Sequence, residues 1–221
     1  NTELISLPNI WSSSGSLFFT VIKEMTNKVT LPKADDLLEA GAHFGHETKR
    51  WHPLMEPYLY GSKENIHIFN IEKTLEQLDK AVEALKELST NGPVLFVGTK
   101  RQASSIVRDE AVRVGAYFVD QRWPGGLLTN FGVVKNSLRN LNSLEKQFEE
   151  GVTNRTKFEL SQMKKEWARL FRLYSGIKQL NTKPAALVVV DATYEIGAVK
   201  EARKLGIPVV AIVDSNTKPN L

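Results

Sequence analysis

Three runs of consecutive apolar, largely β-branched residues constrain this chain most: Val94-Leu95-Phe96-Val97, Ala185–Val190 and Val209–Val213. A strand with one wet face alternates apolar and polar side chains. An uninterrupted run therefore needs cover on both faces. Ile66-His67-Ile68-Phe69 and Ala116–Val119 read as further strands. Between them lie stretches with helical spacing: one from about Glu72 with Leu75, Leu78, Val82, Leu85 and Leu88, a second over 102–113, a third near 195–205. Alternation of buried strands and helices predicts an α/β fold with a doubly wound, mainly parallel sheet, and the leucine stripes are expected to be core.

One insertion, between roughly 131 and 181, breaks the alternation. Leu160, Met163, Trp167, Leu170, Tyr174 and Ile177 follow spacings of three and four, and Val134, Leu138, Leu141, Leu144 and Phe148 form a partner stripe. Glu149 to Asn154 supplies a turn between them. The pattern predicts an antiparallel helical hairpin of coiled-coil type.

Charge follows the same division. Residues 135–180 carry ten basic and five acidic side chains, a net +5, whereas the whole chain is only +4, so the remainder sums to −1. A concentrated basic excess points to an anionic partner, nucleic acid before membrane, against the plainer reading of a solvated helix face. No window is apolar enough to span a bilayer, and the absence of cysteine excludes disulfides, thiolate catalysis and sulfur-ligated metals.

Residues 1–24 differ from the rest. A loop-like Trp11-Ser12-Ser13-Ser14-Gly15-Ser16 precedes a short β-prone run, Leu17 to Ile22, with no basic flank and no arginine. That pattern fits neither a secretory signal nor an organellar transit peptide. It is read as an extension that docks on a neighbour through Phe18 and Phe19.

The loops of nucleotide enzymes are missing. No G-x-G-x-x-G follows a strand, Gly98-Thr99-Lys100-Arg101 lacks phosphate-loop spacing, and no G-x-S-x-G exists. Gly98 to Arg101 still offers amides, a helix start and two cations to a single backbone phosphate. The four histidines, His43, His46, His52 and His67, show no metalloprotease spacing. Asp191 and Asp214 each end an apolar run, so parallel strands would bring both carboxylates to one sheet edge. There they cap the following helix or hold a divalent ion, zinc with His46 as third ligand or magnesium without it. Lys200 or Arg203 would be the alternative neutralising groups. An enzyme of flavodoxin-like architecture using Asp191 and Asp214 is the rival functional reading.

Two further loops interleave cations with tryptophan: Lys49-Arg50-Trp51-His52-Pro53 and Gln121 to Asn130, the latter containing Arg122, Trp123 and Gly125-Gly126. Arginine and lysine supply phosphate contacts, and an aromatic ring stacks on an unpaired base or plugs the core. The expected RNA contacts are Lys49, Arg50, Trp51, His52, Lys100, Arg101, Arg122, Trp123, Asn130 and Lys135, with the two tryptophans positioning their loops.

Over about residues 30–221 these segments closely resemble the universal small-subunit ribosomal protein number two family in its bacterial form. The resemblance rests on Leu37-Leu38-Glu39-Ala40-Gly41-Ala42-His43-Phe44-Gly45-His46, Arg50-Trp51, Ile66-His67-Ile68, Leu95 to Lys100, Gln121-Arg122-Trp123, Gly125 to Asn130, and Pro184 to Pro208. Leu54, Pro124 and Ser175 depart from the family's usual lysine, leucine and glycine, and the chain stops before the expected final strand and helix. The resemblance implies a flavodoxin- or Rossmann-like domain (30–130 and 182–221) with a coiled-coil hairpin inserted (131–181); the extension (1–29) lies outside the family pattern. It implies a non-enzymatic, cytoplasmic bacterial ribosomal component, rather than an organellar one, with no cofactor requirement, no membrane partner and no homo-oligomer. Its expected partners are rRNA between head and body of the small subunit and neighbouring proteins, including the mRNA-capturing protein number one.

Overall fold

The computed structural model describes residues 31–151 and 155–219. The expected extension and its Phe18–Phe19 pair lie outside these residues, as does the middle of the hairpin turn.

The apolar runs form one parallel sheet. Its strands are β4 (Val94–Val97), β5 (Tyr117–Val119), β6 (Ala186–Val190) and β7 (Val209–Ile212), in the order β5-β4-β6-β7. Leu95 pairs with Leu187 and Leu187 with Val209, so apolar residues run in rows across the sheet. Leu95, Val97, Leu187 and Val189 are fully buried at its centre. Helices α3 (Ser104–Arg113) and α6 (Ile196–Lys204) complete the crossovers. The core also takes in Leu127, Leu128, Ile177, Leu180, Ala198 and Ala202.

A second sheet precedes it. Strands β1 (Phe44–Glu47), β2 (Leu59–Lys63) and β3 (Ile66–Phe69) are antiparallel in the order β1-β3-β2. Only β3 is visible in the sequence pattern. The β2–β3 turn is Glu64-Asn65, both at positive φ (52° and 64°), the twist that suits a two-residue hairpin. Without a glycine it gives no sequence signal.

Helices α1 (Ala34–Glu39) and α2 (Ile71–Thr90) pack together, and Asn70 caps α2 by accepting the Lys73 amide at 3.2 Å. The α2 leucine stripe is half-buried, with no residue fully covered, contrary to the expectation of core. Six residues of α1 span about 9 Å against about 30 Å for α2, too short to cover it.

Helices α4 (Phe131–Glu150) and α5 (Lys157–Tyr174) pack on each other. Thr156 and Glu159 start α5 by exchanging hydrogen bonds, each accepting the other's backbone N–H. The stripe divides. Phe131, Val134 and Leu138 join the sheet's core, while Leu141, Leu144 and Leu170 form a separate cluster with Phe148, Met163 and Trp167. Ile177 lies beyond α5 in a single 3₁₀ turn, Ser175–Ile177, and belongs to the main core. The sheet's core thus reaches two turns into α4, past position 131.

Candidate nucleic-acid interface

In a parallel sheet the loops after every strand gather at one edge, and a ligand crevice opens where the chain reverses direction across the sheet. Here that point lies between β4 and β6, and the chain's own groups fill it. Asp191, at positive φ (67°), accepts the amides of Thr193 and Tyr194 at 3.0 Å and pairs with Lys100. Burial alone would raise the Asp191 carboxyl; Lys100 and the two amides outweigh it and hold it below the usual carboxylate value. The Lys100 ammonium also sits 5.8 Å from the Tyr194 ring centre. Glu195, only 3% exposed, accepts the Thr99 amide at 2.6 Å. The amide and cation expected to grip a phosphate are therefore engaged by carboxylates, which leaves exposed Arg101 as this loop's outward cation.

The loop after β5 is built around one acid. Glu201 on α6 accepts the Trp123 indole N–H (3.0 Å) and the amide of Gly126 (2.7 Å) on Oε1. On Oε2 it accepts the amides of Leu128 and Thr129 and the Thr129 hydroxyl, each at 3.0 Å. Gly126 carries a positive φ of 83°, which the turn requires. Trp123 thus plugs the loop with its ring half-buried, while Arg122 and Asn130 at either end are exposed. Lys135, one turn into α4, lies 5.2 Å over the Phe131 ring.

The Lys49–His52 loop lies against the 214–217 turn. The His52 amide donates to the Ser215 carbonyl at 2.7 Å, and its Nδ1 accepts the Leu54 amide at 3.2 Å. Trp51 packs against His67 with ring centres 4.7 Å apart and the ring planes tilted by 40°. Lys49 and Arg50 are exposed, Arg50 lying 3.8 Å from Glu47. His46 meets Asp214, Nδ1 to Oδ1 at 3.0 Å, and its amide donates to Ser215 Oγ at 2.8 Å. The expected metal set is not assembled: Asp214 and His46 come together, but Asp191 is taken by Lys100. Among the described residues no group of three His, Asp or Glu side chains is placed to hold a metal ion. The neutralising cation is Lys100, not Lys200 or Arg203.

The helical pair supplies what net charge concealed. Lys157, Ser161, Lys164, Lys165, Ala168 and Arg172 recur at helical spacing, so at 100° per residue they share an arc of about 100° on α5. Five of them, all but Arg172, line an open groove together with Leu160. Four other cations are matched, Lys146 with Glu150, Arg155 with Glu159, Arg169 with Glu166 and Lys178 with Glu145, while on α4 Arg139 donates to Asn136 and Lys135 lies over Phe131. Among the described residues Lys157, Lys164, Lys165 and Arg172 have no carboxylate partner, and all four are exposed.

Acid should unsettle this edge. Glu201, like Asp191, is raised by burial but held below its usual value by its donors, here Trp123 and the loop amides. A carboxyl depressed in the fold stabilises it fully above the unfolded value, 4.5 for Glu201 and 3.8 for Asp191, and that contribution drains as pH falls through the folded value. Thermal unfolding should therefore be flat from about pH 7 to 5 and drop steeply below about pH 4. Glu201→Gln should flatten the drop; an unchanged acid limb would count against this assignment.

Sequence reading missed Glu201, Glu195 and Ser215, each of which serves a loop far away in the chain. The α5 stripe was present in the residue spacing but not in a charge count.

Among the described residues no helix is long and apolar enough to cross a membrane. Residues 37–221 match the family model described as ribosomal protein S2. The chain is 45% identical over 185 residues to the small ribosomal subunit protein uS2 of Chlamydia abortus, covering 83% of this chain and 67% of that protein. Its Chlamydia felis counterpart is also 45% identical (83% and 68% covered), and that of Chlamydia caviae 44% (83% and 67%). With a family match across most of its length and relatives at this identity, the chain belongs to the ribosomal protein S2 family, whose members are structural components of the ribosome rather than enzymes.

Proposed function

We propose that this protein binds small-subunit ribosomal RNA, with the α4–α5 pair as a coiled-coil arm whose basic face tracks the phosphate backbone. The observation that carries this reading is the α5 stripe of four exposed, unpartnered cations over small side chains. Exposed cations without local carboxylates gain most from phosphate contact, because no existing ion pair must be broken. Arg101, Arg122, Lys49 and Arg50 extend the surface on the sheet domain, and Asn130 and Lys135 lie beside it. Lys100 acts indirectly, by holding the β4 loop. The position follows the family resemblance: between head and body of the small subunit of a bacterial cytoplasmic ribosome.

A second partner is favoured by a separate observation. The small antiparallel sheet leaves Phe44 and Ile66 exposed, on the face they share through the Phe44–Ile68 pairing. A patch of this kind suits a protein neighbour, and the resemblance supplies the mRNA-capturing protein number one.

Sedimentation with purified small subunits lacking their own copy tests the first reading. The chain should pellet with the particles at low salt, and Lys164→Glu with Lys165→Glu should leave it in the supernatant. Equal pelleting of both would reject the α5 face as the RNA contact.

A further inference from the structure

Among the described residues Glu201 receives five hydrogen bonds from one loop, and no cation takes part in holding its charge. Converging backbone amides of this kind are how proteins bind phosphate. Here the anion is internal, and it comes from a helix more than seventy residues further along the chain. We infer that Glu201 is the positioning residue of the RNA-contacting loop: its carboxylate imposes the single conformation in which Arg122 and Asn130 face outward from either end. The inference rests on the RNA-binding reading above.

The physical argument has three parts. The loop's glycines, Gly125 and Gly126, make it costly to order without an external constraint. A charged acceptor binds each donor more strongly than a neutral one, so five such bonds select one arrangement. Leu127 and Leu128, clamped within the same stretch, are fully buried in the core, which ties the clamp to the sheet. Arg122 and Asn130 bracket the clamp, so its release frees both. Neither touches Glu201, so the acid acts on RNA through them.

Amide exchange and RNA binding on the full chain test this together. In Glu201→Gln the side-chain amide replaces one acceptor oxygen with a donor, so the loop loses at least two of its bonds while the volume is kept. Exchange at Gly126, Leu128 and Thr129 should accelerate by about tenfold or more, the equivalent of one charge-assisted bond. Affinity for small-subunit ribosomal RNA should fall about tenfold, with the log–log salt slope shallower by about one unit, the loss of one phosphate contact. Arg122→Gln should give the same slope, and the double variant should add little to either single change. A merely structural acid would lower the unfolding temperature and leave the folded protein's slope unchanged; that result overturns the proposal while preserving the RNA reading. A wild-type slope in Arg122→Gln removes the loop from the RNA surface altogether, and the proposal with it. Should Glu201→Gln not fold, Trp123→Phe removes a single donor: faster exchange at Gly126 with weaker binding supports the clamp, and wild-type values for both overturn it.

Discussion

Replacing Gly176 by alanine should destabilise the fold by roughly 3 kcal/mol, the upper part of the range for overpacking. A Cβ at this position would lie 2.3 Å from the Phe118 carbonyl oxygen and 2.6 Å from its ring. The obstructing atom belongs to the backbone of β5, which pairs with β4 through Leu95–Tyr117, Phe96–Phe118 and Val97–Val119, so it cannot swing aside. The 3₁₀ turn must retreat from β5 instead. Retreat would also strain the 3.1 Å hydrogen bond that the Tyr117 hydroxyl donates to the Gln179 carbonyl. Because β5 is an edge strand, loosening the turn exposes unpaired backbone and invites aggregation. Thermal melting checks this: a fall of about 6–12 °C is expected for a chain of this size, and a shift under 2 °C would contradict the packing described.

Leu170→Asp should have a larger local effect. Leu170 is 2% exposed and sits with Leu141 and Leu144 in a cluster distinct from the sheet's core. An ionised carboxyl there has no partner, and with the lost leucine contacts the cost is on the order of 4–5 kcal/mol or more. Among the described residues the cluster holds three buried leucines, so the outer helical pair should open beyond Leu138. Phe131, Val134 and Leu138 belong to the main core and should keep the first turns of α4 helical. Limited proteolysis should cut between about 141 and 172 and spare the sheet. Equal cutting of both regions would mean that the two clusters fold as one cooperative unit.

How much of this was legible in the sequence depends on the range of the interactions. The strands of the parallel sheet announce themselves because β4 and β6 are covered on both faces, and the edge strands β5 and β7, although only partly buried, are equally free of charged residues. The helical pair is equally plain from its spacing. Strands β1 and β2 are not: Phe44-Gly45-His46-Glu47 and Leu59 to Lys63 are short and mixed, and Glu64-Asn65 turns without glycine. The candidate site's exposed residues stand out in the sequence, whereas the internal groups that hold its loops do not. Arg122 and Trp123 stand together in a loop, whereas Glu201 looks like any acid on a solvated helix. Lys100 illustrates the reverse. In sequence it belongs with Arg101 as a phosphate ligand; in the fold, Asp191 reaches it from the next strand of the sheet and pairs with it.

The α5 face is tested most directly by the salt dependence of RNA binding. Wild-type chain and a variant carrying glutamine at Lys157, Lys164, Lys165 and Arg172 are titrated with small-subunit ribosomal RNA from about 50 to 200 mM salt, a range over which phosphate contacts are strongly screened. If the four cations each neutralise a phosphate, the variant's log–log slope is shallower by about three to four units, at 0.7–0.9 per contact. Identical slopes in the two proteins would contradict the account.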